Sequence, residues 1–90
     1  MRVISQDGLI DVPYSITAFH ICGGNIIMNM AGDTGKGTVM ARYESDEKAV
    51  KAMEMLRETY VKRSIDGFVS ISAYVRNAVF QFPEDDEVEA

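Results

Sequence analysis

The stretch SDEKAVKAMEMLRETYVK, Ser45 to Lys62, decides the fold class. At about 100° per residue, Ala49, Ala52, Met53, Leu56 and Tyr60 fall on one stripe of a helix, with Lys51, Glu54, Glu58 and Lys62 opposite. Ser45 suits the N-cap because its hydroxyl accepts a bond from an orphan backbone N–H, and Asp46 and Glu47 favour the positive end of the helix dipole. Glu47–Lys51 and Glu58–Lys62 are spaced i,i+4 in the favourable order, each worth about 0.2–0.5 kcal/mol. Lys62 and Arg63 suit the C-terminal end. A helix from about Asp46 to Lys62 with one apolar stripe needs a surface to cover, and the rest of the chain offers only a sheet.

Working back toward the N-terminus, the sequence alternates strand patterns with turns. Arg2–Ser5 and Leu9–Val12 flank Gln6-Asp7-Gly8, and Asp-Gly is a strong hairpin signal. Pro13 interrupts that pairing, since it has no N–H to donate. Tyr14–Ile21 is a further strand, Cys22-Gly23-Gly24-Asn25 a turn, and Ile26–Ala31 and Thr38–Tyr43 two strands joined by a glycine-rich loop. In the latter strands Ile26, Met28 and Met30 share a face, as do Val39, Ala41 and Tyr43, which points to a sheet with one face buried.

Beyond the helix, Ser64-Ile65-Asp66-Gly67 is a breaker. Val69, Ile71, Ala73 and Val75 then alternate with Ser70, Ser72 and Tyr74. Arg76-Asn77 turns the chain into Ala78–Phe82, which Pro83 stops. The order strands, helix, strands predicts an α+β domain: a mainly antiparallel, curled sheet of about five to six strands with one amphipathic helix packed on it. Ile4, Ile10, Val12, Phe80 and Phe82 are expected to meet in one sheet region, bringing the ends of the chain together.

Ninety residues make one domain, expected over 1–83, and bury roughly 60–65% of the unfolded surface, a modest core that association would help. The net charge of −5 is uneven: Glu84, Asp85, Asp86, Glu87 and Glu89 are five of the fourteen acids, and without them acids and bases balance. Residues 84–90 therefore read as an acidic, disordered tail. A single cysteine, Cys22, excludes an internal disulfide, and no apolar run reaches the 18 or so residues of a membrane span. With no signal-peptide core either, the expected location is the cytoplasm.

No catalytic, cofactor or metal motif emerges. The loop Gly32-Asp33-Thr34-Gly35-Lys36-Gly37-Thr38 has two residues where a phosphate loop has four, glycine where it has a hydroxyl, and a strand where it needs a helix. His20 and Cys22 share a strand face, but one His and one Cys do not make a zinc site, and nothing basic beside Cys22 in sequence activates its thiol. Ser70 and Ser72 lack a nucleophile elbow, and Asp7, Asp11, Asp33 and Asp66 sit at turns or in a short hairpin strand, where Asp is common for backbone reasons. The bases are scattered, with neither a basic stripe nor stacking aromatics, so nucleic acid is not the expected partner.

A surplus of apolar groups is the one positive signal. Ile27 and Met40 lie opposite the expected core face of their strands, and Val50, Met55 and Val61 flank the helix stripe. These five form the candidate interaction surface, facing a second copy of the chain or another protein.

Three segments carry a resemblance: the opening MRVISQDGLIDVPY to Tyr14, the helical KAVKAMEMLR of Lys48–Arg57, and the closing FQFPEDDE of Phe80–Glu87. Together they resemble a family of short bacterial proteins, often encoded in prophages or near mobile elements, that has no established activity or cofactor. The resemblance implies an accessory bacterial protein of phage-like origin. With the apolar surplus it favours a non-enzymatic protein-binding or assembly module that is homo-oligomeric. The alternative is a nucleic-acid-associated regulator, which a cluster of Arg42, Arg57, Arg63 and Arg76 on one face would favour.

Overall fold

A computed structural model of the chain describes residues 1–30, 32, 35–66 and 79–89, with the side chains of 63–66 outside the described set. The expected helix, α1, spans Asp46–Asp66. Its start is as read: the Lys48 N–H donates to Ser45 Oγ at 3.3 Å. Asp46 has a further task, because the Gly24 N–H donates to its carboxylate at 2.6 Å and so ties the helix to a neighbouring turn. The helix runs four residues past Lys62, since Ser64, Ile65 and Asp66 cost helix propensity without forbidding it. Ala49, Ala52 and Leu56 are fully buried, and Met53 and Tyr60 pack against the core. Lys51 reaches Glu54 at 3.8 Å, a pair the i,i+4 reading did not anticipate.

The described strands form two three-stranded sheets where one curled sheet was expected. In the first, β1 (Arg2–Ile4) lies between β2 (Asp11–Pro13), antiparallel, and β6 (Val79–Gln81), parallel. The ends of the chain therefore do meet, with Val3 opposite both Val12 and Phe80. The second sheet is an antiparallel meander of β3 (Thr17–Cys22), β4 (Asn25–Met30) and β5 (Thr38–Arg42). Tyr14–Ile16, expected to open a long strand, is instead a 3-10 turn before β3. Helix α1 packs on β3 and β4, so the layer beneath it comes from the middle of the chain. The strand expected over Val69–Val75 lies outside the described residues.

Gln6 holds the two sheets together. Its N–H donates to the Met40 carbonyl at 2.8 Å. Its side-chain amide accepts from the Arg42 N–H at 3.0 Å and donates to the Arg42 carbonyl at 3.1 Å, in the way one more peptide group of a ladder would. The same nitrogen donates to the Pro83 carbonyl at 3.1 Å. An aromatic chain reinforces the join: Tyr60 stacks on Tyr14 at 4.7 Å, Phe19 meets Phe82 edge-on at 6.0 Å, and Phe82 meets Phe80 at 5.3 Å. Such pairs add about 0.5–1.5 kcal/mol each beyond their burial.

The acidic C-terminus is not the disordered tail that its charge suggests. Asp85–Glu87 forms a 3-10 turn, with Glu84 and Glu87 satisfying each other's backbone N–H groups as a capping box. The Glu44 N–H donates to Asp85 at 2.7 Å, and Lys48 reaches the same carboxylate at 3.1 Å. Val88 is then buried to 3% exposure. One buried valine, one lysine and the Glu44 N–H hold back a segment whose composition favours solvent.

Candidate functional site

The five positions of the expected interaction surface have different fates. Met40 is buried at 2% exposure, so it is not a surface residue. The reason is a β-bulge: Ile26 faces Ala41 and Ile27 faces Val39, leaving Met40 as the extra residue of β5. The bulge interrupts strict alternation, so Met40 and Ala41 are both buried, although they are neighbours in sequence. Met55 is half-buried and packs against the core. Ile27 is half-buried on the sheet face opposite Ile26. Val50 and Val61 are exposed, at 44% and 53%.

The two residues with nucleophilic or ligating chemistry, His20 and Cys22, are both exposed on β3. They pair across the ladder with Ile27 and Asn25, which supply neither a base nor a second metal ligand. Among the described residues, no group of three His, Cys, Asp or Glu side chains is placed to hold a metal. The glycine-rich segment after β4 leads into strand β5, so it offers no helix N-terminus to an anion. Ser70, Ser72 and Arg76 lie outside the described residues, as does the side chain of Arg63. Of the arginines whose clustering would favour nucleic acid, the described ones sit on different elements, Arg42 on β5 and Arg57 on α1.

A shallow depression of about 240 Å³ is lined by Gln6, Asp7 and Val39–Arg42. The Gln6 and Asp7 side chains are engaged in structure. The Gln6 amide is bonded to Arg42 and Pro83, and Asp7 accepts from the Ser5 hydroxyl and the Leu9 N–H. Those two bonds, the serine's first, hold the Asp7 carboxyl below the usual range, so it is a poor proton acceptor near neutrality. Tyr43 donates its hydroxyl to the Pro83 carbonyl at 2.7 Å. Burial, and then the charges of Glu84, Asp85 and Glu87, push that phenol well above its ordinary value. Neither Asp7 nor Tyr43, next in sequence to Arg42, is poised to exchange a proton near neutrality.

Sequence reasoning missed Gln6, Lys48 and Asp85 as organising residues. Only Lys48 carried a signal, a cation in the first helical turn where the dipole disfavours one, which implies a local anion to offset it. No helix among the described residues is long and apolar enough to cross a membrane. No protein-family model, curated protein or solved structure matches the chain.

Proposed function

We propose that this chain is a non-enzymatic protein-binding or assembly module of bacterial, phage-like origin, acting in the cytoplasm and associating first with a second copy of itself. The observation that carries the reading is the exposure of Val50 and Val61 on one side of α1. Leu9, Ile16 and Val79 are exposed too, but they lie on separate elements, as scattered surface apolar residues ordinarily do. Val50 and Val61 are different: eleven residues apart, they fall about 20° from each other around the helix and about 17 Å apart along it. A helix face that keeps two valines in water at that spacing is suited to a partner helix. Phage-like origin is supported by the sequence resemblance of the two ends and the helix.

Sedimentation velocity over a concentration series tests the reading. It is run in reducing buffer, because exposed Cys22 would otherwise link copies through a disulfide. A sedimentation coefficient that rises with concentration toward that of a dimer is the expected result. A monomer at every concentration would remove self-association.

A further inference from the structure

One flank of α1 contains Val50, Glu54, Arg57 and Val61, within an arc of about 60° at 100° per residue. Its chemistry reverses about its own centre. Val50 and Val61 lie equally far from the midpoint between Met55 and Leu56, and so do Glu54 and Arg57. A helix lying antiparallel across this one, related to it by a two-fold axis through that midpoint, sets valine against valine at both ends. Between them it sets glutamate against arginine twice. This is the self-complementarity that an isologous two-fold interface requires.

The charged members are available for it. Arg57 is exposed and takes part in no ion pair among the described residues. Glu54 is half-exposed, and its pair with Lys51 is long, at 3.8 Å between side chains each about half in solvent. An exposed i,i+3 pair of that kind contributes little and yields readily to a better partner.

We infer that two copies of the chain associate through antiparallel packing of their α1 helices, Val50 against Val61 and Glu54 against Arg57 of the second copy. The inference rests on the self-association reading above and specifies its surface. A single helix face is small for a protein interface, so the association is weak and is measured at high protein concentration. Its charge pairs are screened by salt, so it weakens as ionic strength rises.

Charge reversal gives the test. Glu54→Arg places cation against cation across the two-fold axis, and Arg57→Glu places carboxylate against carboxylate. Each variant alone is therefore expected to dimerise about tenfold or more weakly than wild type. In an equimolar mixture of the two variants, a mixed dimer sets the two arginines of one copy against the two glutamates of the other, so both contacts between copies again join opposite charges. The double variant Glu54→Arg/Arg57→Glu restores opposite charges at both contacts of a homodimer and is the cleaner rescue. It is expected to recover wild-type association by sedimentation equilibrium, and its recovery shows that neither substitution prevents folding. If wild type dimerises and the reversals leave its dissociation constant unchanged, this pairing is wrong while self-association stands, and a different surface, such as the sheet face around Ile27, forms the contact. If wild type never dimerises, the pairing and the reading beneath it both fall.

Discussion

Two adjacent glycines show how much one Cβ can matter. Gly23 and Gly24 both have positive φ in the turn between β3 and β4, at 56° and 80°. A Cβ on Gly23 meets nothing within 4 Å, whereas one on Gly24 would sit 2.5 Å from the Tyr43 carbonyl oxygen. Gly23→Ala is therefore expected to cost about 1 kcal/mol for the left-handed backbone alone. Gly24→Ala should cost about 3 kcal/mol, because the Tyr43–Gly24 backbone bond of 2.9 Å must give way as well. Urea unfolding of the two variants measures the difference, and equal costs would mean that the close approach is wrong. Gln6 is the polar counterpart. Gln6→Ala removes three side-chain hydrogen bonds, two of which join the two sheets, and a loss of about 2 kcal/mol in the same assay is expected. The glycine turn was legible in the sequence. The task of Gln6 was not, because a glutamine in a hairpin loop reads as solvated until the strand edge beside it is known.

At the scale of elements, the C-terminal turn and the start of α1 form one unit. The Asp85 carboxyl is held below its ordinary value by the Glu44 N–H and then by Lys48, and that of Asp7 by Ser5 and Leu9. A carboxylate with a depressed folded value contributes stability above its unfolded value and loses that contribution as pH falls through the folded one. Stability is thus expected to decline as pH drops below about 4, the ordinary aspartate range. Asp85→Asn should already be less stable at pH 7, and its deficit should shrink toward pH 3. A deficit that does not vary with pH would show that the carboxylate's charge plays no part in docking. Val88→Ala tests the apolar side of the same contact, with an expected cost of about 1.5 kcal/mol. The helix could be read because its cap, period and charges agree with one another. The docked C-terminus could not, since a lone valine among five acids carries no periodic signal. Met40 was misplaced for a third reason: alternation assumes an unbroken ladder, and a bulge leaves no mark in composition.

For the whole molecule, the meeting of the chain's ends was legible in the apolar residues flanking each terminus, while the split into two sheets was not. The join between the two sheets depends on Gln6 bonding to β5, and the burial of Met40 depends on a bulge, and both act only once the strands are in place. The outcome leaves α1 with one face closed over β3 and β4 and one flank carrying a pattern that is its own complement. Two-dimensional ¹H–¹⁵N NMR spectra over a dilution series, in reducing buffer, test that claim most directly. Amide shifts that change with concentration should gather at Val50, Glu54, Arg57 and Val61 and leave β1, β2 and β6 unmoved. Shifts that gather instead on the sheet face around Ile27, or spectra that do not change with concentration at all, would contradict it.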